Sequence, residues 1–537
     1  MSMPWGAAMK FARIAQTVLA LAALTFCVVG TAGAQSAAAP TVTLKSFDGF
    51  TQLRGKLIDF DGAVFTIETV LGRIQVDALQ VNCEGEACPQ NLLFGAEFGI
   101  YGSNTIGSEL MPALIEGYAD SLDATLVAEV GTDPLQRMMR IVHQNGNEMA
   151  AIDLQAFGSS SSFQGIAEGK AAVGMSSRRG RDRDMARLNS VGIPDLRDTP
   201  SEHIVALDGL IAVVHPSNAI SAISPEELAL VFSGIITNWV QLGGADAPIN
   251  LYVREPESGT FLTFGSLVLG PYGADLSPAA QTFASNIRLS DSVAADPNGI
   301  GVTAAAYQRA TRALPIRQEC GIASVPSTFA MKAEEYPLAQ RLYLYTPPRD
   351  VPAHAKQIVE FAKSDAAQSI IAEAGFVNQT VETLSINDMG ARIIHAMTGE
   401  PEFSPAQMRD LLLDLKDAVR LSTTLRFTPG TSNLTPKSQL DARRLAEELA
   451  LGAFAGREVL LVGFTDSVGQ FELNRQLSAR RAQVAESVMR ASVPEGSLDN
   501  VQISLRGYGE LMPVGCNTDI GGRSANRRVE VWLRTPG

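Results

Sequence analysis

The N-terminal part of the chain, from Thr41 to about Leu93, alternates apolar and polar positions in short runs. The pairs Asp48-Gly49 and Asp61-Gly62 separate these runs, and an Asp-Gly pair between alternating segments is a strong hairpin signal. The pattern predicts a small β-barrel-like module over residues 41–95, preceded by an Ala-rich linker. The sequence of this module indicates no chemistry.

From residue 97 to about residue 380, strand-like and helix-like segments alternate, which is typical of an α/β domain. The clearest helix start is Ser224-Pro225-Glu226-Glu227, which combines an N-cap, a proline at the first helical position and a glutamate three residues after the cap. An apolar stripe follows, and Gly234 ends the helix. A second helix is predicted from Ala353 to Ala374, with Gly375 after it.

Residues 381–420 are predicted to form a helical connector, with a helix that begins at Ser404 and carries an apolar stripe to Val419. Residues 421–537 follow as an α+β domain. Its pattern predicts the order β-α-β-α-β, with strands at 425–427, 459–462 and 529–533 and helices at 438–451 and 471–491.

The length and the net charge of the chain limit its domain organisation and the classes of ligand that it can bind. A chain of 537 residues is too long for one hydrophobic core and predicts two to four domains. The formal net charge of -14 disfavours non-specific nucleic-acid binding by the whole molecule. An anionic ligand must therefore be held by local geometry and not by a general positive field.

The first 34 residues are predicted to be a signal peptide. Lys10 and Arg13 supply a positive start, an apolar run follows from Ile14 to Gly30, and Ala32-Gly33-Ala34 is a small-residue cleavage signal. The alternative is an uncleaved membrane anchor, because the run approaches the length that spans a bilayer. The small residues directly after the run favour cleavage and export to the periplasm.

Four cysteines remain after the predicted cleavage. Export permits disulfides, and Cys83 and Cys88 are close enough to close a short loop. A metal site needs more ligands, and no histidine is near these cysteines, so neither a metal nor a cofactor is predicted. Cys320 and Cys516 lie in different predicted domains, and the sequence leaves their state open.

Three polar loops each precede a predicted helix: Gly102–Gly107, Gly158–Ser162 and Glu257–Thr260. A helix N-terminus presents unpaired N–H groups and partial positive charge, so it suits an anion. Arg254 lies four residues before Ser258 and offers a planar fork of donors to two oxygens. Taken alone, a run of four serines is more often a solvated loop, and a lone arginine is more often part of a surface ion pair. The prediction of an oxyanion site therefore depends on the loops meeting.

Several further segments occur in a recognisable order around these loops: Ala171–Arg178, Asp208–Asn218, Phe232–Trp239, Asn298–Gly301 and Gln368–Val377. With them, residues 98–378 resemble the PstS-type phosphate-binding proteins of ABC importers, which have the two-lobed type 2 periplasmic-binding fold. The resemblance implies closure of two lobes on phosphate and an ABC importer as a partner. It implies phosphate contacts at Thr105, Ile106, Ser159, Ser177, Arg254, Ser258, Gly259 and Thr260.

Position 177 departs from one branch of this family. Members with a strict preference for phosphate over sulfate often carry an aspartate there, which accepts the proton that phosphate has and sulfate lacks. Ser177 can still accept a hydrogen bond, but it rejects a fully ionised anion less strongly. Phosphate is the favoured ligand, and the selectivity is left open.

A second constellation lies near the C-terminus. Asp466 follows a predicted strand, and Asn474, Ser478 and Arg481 then fall at i, i+4 and i+7 on one helix face. A carboxylate and a guanidinium at one groove can bind the ammonium and carboxylate of a zwitterion. The alternative is a structural ion pair between Asp466 and Arg481.

The motif Gly463–Gly469, together with Gly507–Glu510 and Asn526–Glu530, is similar to the OmpA C-terminal domain, over residues 424–534. The resemblance implies binding to peptidoglycan through its diaminopimelate. Asp466 and Arg481 would be the principal pair, with Thr465, Asn474 and Arg528 supporting. Phe464 replaces the histidine usual before the Thr-Asp pair.

The predicted fold is therefore a two-lobed α/β periplasmic-binding domain plus an α+β OmpA-like domain, with a small N-terminal β module. The predicted function is oxyanion capture by a protein held non-covalently to peptidoglycan. The alternative is a structural envelope anchor whose solute-binding domain has lost or changed its ligand. An enzyme is disfavoured, because the histidines are scattered and Glu257-Ser258-Gly259 lacks the first glycine of a nucleophile elbow.

Overall fold

The computed structural model describes residues 41–535, with gaps at 47–50, 61–63, 79–80, 86, 89–94, 132, 134, 145, 198, 257, 350, 399–402, 429–430, 432 and 519. The predicted signal peptide and the linker after it lie outside the described residues. Within the described residues, no helix combines the length and the apolar character needed to cross a bilayer.

The N-terminal module is an antiparallel sheet in the order β4-β3-β2-β1-β5. Its strands are β1 Thr41–Ser46, β2 Gln52–Phe60, β3 Val64–Thr69, β4 Gly72–Asp77 and β5 Val81–Glu84. Alternation buries Val42 and Leu44 with Phe65 and Ile67 on one face. Among the described residues no pairing joins β4 to β5, so the described strands form an open sheet and not a closed barrel. Cys83 and Cys88 form a disulfide.

The two-lobed domain is built on one long mixed sheet, ordered β13-β12-β14-β11-β18-β10-β6-β9-β8-β7 with β15 beside β11. Its strands are β6 Ala96–Gly102, β7 Ala124–Val130, β8 Gln136–His143, β9 Glu148–Gln155, β10 Ala171–Ser176, β11 Glu202–Val214, β12 Asn250–Arg254, β13 Gln281–Phe283, β14 Gly299–Ala304, β15 Arg312–Ala313 and β18 Ala339–Tyr345. A separate hairpin consists of β16 Ile316–Arg317 and β17 Ala323–Ser324.

Helices cover this sheet. They are α1 Met111–Asp120, α2 Ser159–Ala167, α3 Asp182–Asn189, α4 Pro225–Phe232, α5 Gly259–Phe264, α6 Asn286–Ala295, α7 Thr328–Lys332, α8 Ala353–Lys363 and α9 Asp365–Glu373. Shorter helical turns, of the π or 3₁₀ type, lie at Ile106–Leu110, Trp239–Leu242, Gly265–Leu269, Gly270–Tyr272 and Ala305–Tyr307.

Two separate hydrophobic cores define the lobes. The first lobe packs Leu114, Ile152 and Ile358, and the second packs Val213 and Phe232, each within its own cluster of buried side chains. The antiparallel pair β11 and β18 runs from one lobe into the other, since β18 pairs with both β10 and β11. This pair is therefore a continuous structural link between the two lobes.

The local helix predictions were mostly accurate. At α4 the Ser224 hydroxyl accepts from the Glu227 N–H, the Glu227 carboxylate accepts from the Ser224 N–H, and Gly234 follows at φ +77°. The single helix expected from Ala353 to Ala374 was wrong. It divides into α8 and α9 at Ser364, whose backbone is extended and whose hydroxyl donates to the Phe361 carbonyl. Serine offers the backbone this alternative to helical bonding.

The C-terminal domain is a five-stranded sheet in the order β19-β20-β23-β21-β22, with only β21 and β22 parallel among the described pairs. Its strands are β19 Thr383–Ser385, β20 Ala418–Arg426, β21 Glu458–Phe464, β22 Ile503–Gly507 and β23 Arg528–Arg534. Its helices are α10 Gly390–Thr398, α11 Pro405–Leu415, α12 Pro436–Ala450, α13 Phe471–Ala491 and α14 Ile520–Asn526, with a 3₁₀ turn at Ile386–Met389.

The predicted connector is partly built into this sheet. β19 pairs with β20, and Val419, expected on a helix, lies in β20. Helices α12 and α13 contribute to a core on one face of the sheet, while Met408 and Leu411 of α11 pack with Leu460 on the other. Because both faces are covered, β21 is a continuous apolar run and not an alternating one. Strand β22 was not predicted.

The two-lobed domain and the C-terminal domain are joined covalently and by buried charges. A disulfide links Cys320 of the second lobe to Cys516, which settles what the sequence left open. The fully buried Arg420 donates to both oxygens of Glu335, at 2.6 and 3.1 Å. Burial opposes ionisation of the neighbouring Glu334, but Lys437, Arg341 and Arg426 lower the pKa of Glu334 to about 2. Such pairs hold only while every charge keeps its partner.

Candidate anion-binding sites

The first two polar loops meet at one edge of the first lobe's sheet. Strands β9, β6 and β10 are parallel neighbours, so the segments after them emerge at the same edge. Gly102 has φ +147°, and a Cβ there would lie 1.9 Å from the Met175 carbonyl oxygen, so only glycine fits. The Gly158 N–H donates to the Gly102 carbonyl at 2.7 Å, which fixes the second loop against the first.

Two predicted phosphate contacts, Ser159 of the second loop and Ser177 directly after β10, touch each other. The Ser159 hydroxyl accepts from the Ser177 N–H at 3.1 Å and lies 3.2 Å from the Ser177 hydroxyl. Ser159 opens α2, as expected. Ile106 of the first loop is fully buried in the first lobe's core, so only its backbone remains to face a ligand.

The third loop approaches the first from the opposite lobe. The Ser258 hydroxyl caps α5 by accepting from the Phe261 N–H. The Thr105 hydroxyl donates to the Gly259 carbonyl at 3.4 Å, and a Cβ on Gly259 would lie 2.7 Å from the Thr105 Cα. The two lobes are therefore in direct contact at residues predicted to bind phosphate.

Arg254 ends β12 beside this contact and is only 7% exposed. Its Nε donates to the Phe283 carbonyl at 3.2 Å and its Nη2 to the Ala284 carbonyl at 3.1 Å. Glu109 of the first lobe lies 3.9 Å from the same Nη2. Part of the predicted anion-binding fork is thus already bonded to protein acceptors.

Two cavities lie between the lobes. The inner cavity is lined by Thr105, Gly259 and Thr260 together with Asp208 and Tyr307. An outer cavity is lined by Arg254 and Ser258 and by residues of the first lobe. Ser159 and Ser177 line neither of them. The structure therefore brings the first loop into contact with the third loop. It also brings Ser159 and Ser177 together, but away from these two cavities.

Asp208 was given no role by the sequence. It is buried in β11, and burial raises its pKa to about 6, although Thr263 and Gln340 stabilise the carboxylate by hydrogen bonds. The sequence did contain a signal that could have identified Asp208, because it is an acidic residue inside the apolar run of β11. An acid kept in such a run is typically functional or tightly bonded.

In the C-terminal domain, Asp466 lies in the turn after β21. One carboxylate oxygen accepts from Arg527 at 2.7 Å and the other from the Val468 N–H at 3.2 Å. Among the described residues no ion pair within 4 Å joins Asp466 to Arg481, so the structural ion pair considered as the alternative is not present. Asn474 donates to the Asp466 carbonyl at 3.3 Å. Arg527 was missed, although it is adjacent to Arg528 in the motif.

Arg481 of α13 is 6% exposed and stacks on the Phe427 ring at 5.3 Å. Burial lowers the pKa of its guanidinium, an effect that the charge of Asp466 opposes. Its Nε and Nη1, the Arg527 Nε and the Thr465 hydroxyl are all buried without a hydrogen-bond partner among the described protein atoms. Buried unpaired donors are costly and rare. These four atoms therefore suit an anionic acceptor.

Arg528, expected as a supporting contact, is bonded elsewhere. It is fully buried, its Nε and Nη2 both donate to Glu530, and its Nη2 also donates to the Met512 carbonyl. It also stacks on Phe464 at 4.4 Å. Its donors are used within the protein core, so we leave it out of the groove, which we define as Thr465, Asp466, Asn474, Arg481 and Arg527.

The fold and these two sites define a class of protein: a two-lobed binding domain joined to a separate domain with an anion-suited groove. Comparison with known families agrees with this division. Residues 120–366 are a PBP superfamily domain, and residues 426–527 belong to the OmpA family. The predicted fold class is confirmed.

Individual relatives match one part each. The phosphate-binding protein PstS of Bacillus subtilis (strain 168) is 28% identical over 235 residues, which cover 44% of this chain and 73% of PstS. The lipoprotein YfiB of Escherichia coli (strain K12) is 31% identical over 116 residues, or 22% of this chain and 69% of YfiB. The crystal structure of an ABC-type phosphate transport receptor from Vibrio cholerae aligns with 52% of this chain and 99% of its own, at 22% identity and a TM-score of 0.39.

Proposed function

We propose that the protein captures an oxyanion between its lobes, with inorganic phosphate as the favoured ligand, and holds peptidoglycan through the groove. The observation that carries the first half is the meeting of the first and third loops, where Thr105 lies against Gly259 beside Arg254. PstS, which is named for phosphate binding, supports the choice of anion.

Phosphate would be held mainly by neutral donors. Backbone N–H groups near Ile106 and Gly259 and the hydroxyls of Thr105 and Ser258 replace its hydration, and Arg254 supplies charge. Because Thr105 now packs against Gly259, the lobes must first separate. The β11–β18 pair is the element about which they would rotate.

The groove would bind the zwitterionic end of diaminopimelate in the wall peptide. The unpaired donors of Arg481 and Thr465 suit its carboxylate, and Asp466 suits its ammonium. Asp466 would then exchange part of its pairing with Arg527 for the ligand. The anchoring is non-covalent, since it consists of hydrogen bonds and charge pairs alone.

Both activities are binding without catalysis, in the periplasm, at the peptidoglycan and outer membrane. The predicted signal peptide would deliver the chain there. An ABC importer is the partner expected to receive the phosphate. Relatives of the two parts, a phosphate-binding protein and a lipoprotein, support an envelope location.

Calorimetry tests the first half. Protein stripped of phosphate is titrated with phosphate and then, separately, with sulfate. Saturable heat with phosphate supports capture, and equal heat with sulfate would widen the ligand to oxyanions in general. Silence with both anions favours the structural anchor.

Co-sedimentation with purified sacculi tests the second half. Asp466→Ala should leave the protein in the supernatant, because the ligand's ammonium loses the Asp466 carboxylate. Glu447→Ala is the matched control, since Glu447 forms an exposed pair with Arg443 on α12. Retention of Asp466→Ala on sacculi would contradict the proposal.

A further inference from the structure

The outer cavity between the lobes is far larger than the inner one. It measures about 160 Å³, against about 10 Å³ for the inner cavity. A cavity of roughly 10–15 Å³, measured in this way, holds at most one water molecule. With the lobes in contact as they are, the inner cavity cannot hold a tetrahedral oxyanion, whereas the outer one has the space.

Arginines from both lobes line this outer cavity. Arg254 and Ser258 come from the second lobe, and Arg137 and Ser108 come from the first. Two guanidinium groups that line one partly enclosed space repel each other unless an anion lies between them. Among the described residues of the lining, Glu255 is the only acidic one, and it is exposed. The charged residues of this lining, two arginines and one exposed glutamate, leave a net positive charge that suits an anionic ligand.

Arg137 is available for such a ligand. It lies on β8, where its Nη1 donates to the Ser108 carbonyl at 3.2 Å. Among the residues that the structure describes, no carboxylate lies within 4 Å of its guanidinium. Arg140 on the same strand is instead paired with Glu148 at 2.8 Å and with Glu129 at 3.8 Å.

The position of Arg137 is fixed by the backbone. The Ala156 N–H donates to the Leu135 carbonyl at 2.8 Å, which ties the start of β8 to the segment that leads into the second polar loop. Side chains alternate between the faces of a strand, so residues 137 and 140 point to opposite sides of the sheet. Arg137 therefore faces the cavity, while Arg140 does not line it.

We propose that Arg137 is a further oxyanion-binding residue, which holds a phosphate group in the outer cavity from the first lobe, while Arg254 contributes from the second. This inference rests on the proposed capture of phosphate and adds a residue and a ligand class to it. The phosphate group is either free or carried as a monoester, since the outer cavity has room for a small substituent.

The test is calorimetric titration of the full chain with inorganic phosphate and, separately, with glycerol 3-phosphate. Arg137→Gln should weaken binding of the preferred anion about 30-fold, and Arg137→Lys should weaken it less because the charge remains. Arg140→Gln is the matched control on the same strand and should change affinity less than twofold. Denaturant unfolding of each variant verifies that it is folded.

The outcomes separate the two proposals. If the wild type binds phosphate or the ester and Arg137→Gln binds it equally well, the role of Arg137 is overturned while phosphate capture stands. If the wild type binds neither anion, phosphate capture fails and the role of Arg137 fails with it. If Arg137→Gln weakens binding and the wild type prefers glycerol 3-phosphate, the outer cavity is assigned to organic phosphates. If Arg137→Gln weakens binding and the wild type prefers free phosphate, the cavity is assigned to the inorganic anion.

Discussion

The two proposed anion-binding sites, the lobe cleft and the C-terminal groove, differ in what their hydrogen-bond donors do without a ligand. In the cleft, Arg254 donates to two backbone carbonyls and Thr105 packs on Gly259. In the groove, Arg481 and Thr465 have buried donors with no protein partner. The donors of Arg254 named above are thus bonded to protein acceptors, whereas those of Arg481 and Thr465 are not.

This difference corresponds to how each site is supported. The cleft lies between two hydrophobic cores joined by two strands, so under the proposed function its donors would exchange protein acceptors for an anion when the lobes move. The groove is built on one sheet and one long helix within a single domain, whose two cores cover opposite faces of that sheet. A rigid site can keep donors unpaired and preorganised, whereas a mobile site closes on itself.

The largest effect is expected in the groove. Arg481→Met should weaken binding to sacculi about 1000-fold, or ~4 kcal/mol, because the ligand's carboxylate loses its charged partner. The free energy of unfolding should stay level or rise, since two unpaired buried donors disappear and methionine still packs on Phe427. Sedimentation and denaturant unfolding measure both quantities. Arg490→Met, on the same helix but in an exposed pair, is the control. A large loss of stability with binding intact would contradict a preorganised groove.

The second prediction concerns Asp208, the buried acid of the cleft, and the pH dependence of stability that it should cause. Burial raises the pKa of the Asp208 carboxyl from 3.8 to about 6. Between pH 3.8 and pH 6, the folded state therefore keeps a proton that the unfolded state has released. Stability therefore falls as pH rises from 4 to 6, by about 3 kcal/mol in all. Asp208→Asn should remove this fall. Urea unfolding between pH 4 and 7.5 measures it, with the exposed Asp291→Asn as the control. Parallel pH profiles for wild type and Asp208→Asn would disprove the assignment.

Removal of Arg254 should affect both stability and binding, unlike removal of Arg481. Arg254→Met should lower phosphate affinity about 30-fold, or ~2 kcal/mol. It should also lower the free energy of unfolding by about 1–3 kcal/mol, because the carbonyls of Phe283 and Ala284 lose their donor. Calorimetry and denaturant unfolding supply the two values. The exposed Arg288→Met on α6 is expected to change neither. Unchanged stability in Arg254→Met would remove the contrast between the sites.

The smallest effect concerns the contact between the lobes. A Cβ in Gly259→Ala meets the Thr105 Cα at 2.7 Å and should hold the lobes slightly apart. Phosphate affinity should fall about tenfold, or ~1.4 kcal/mol, and the compaction seen on binding by small-angle X-ray scattering should shrink. Gly265→Ala is the control, since nothing lies within 4 Å of its added Cβ. Full compaction in Gly259→Ala would show that this contact does not set the closed state.

Much of the fold followed from local signals. Helix α13 runs from Phe471 to Ala491 as predicted, and α4 has the cap, the proline and the terminal glycine expected of it. The break at Ser364 and strand β22 were missed, because a polar interruption and a weakly apolar strand give little periodicity of their own. Within the candidate sites, Asp466, Arg481 and the three loops were identified, but their partners were not.

The sequence by itself determined the features that depend on neighbouring residues. These are the helix caps, the strand periodicity and the motifs that carry two family resemblances. Only the tertiary structure decided which charges meet. It paired Asp466 with Arg527, Arg254 with two carbonyls, and Cys320 with Cys516 across 196 residues. The physical reason is that a hydrogen bond or a charge pair depends on distance in space. Spacing along the chain does not specify that distance once two lobes and a third domain have packed together.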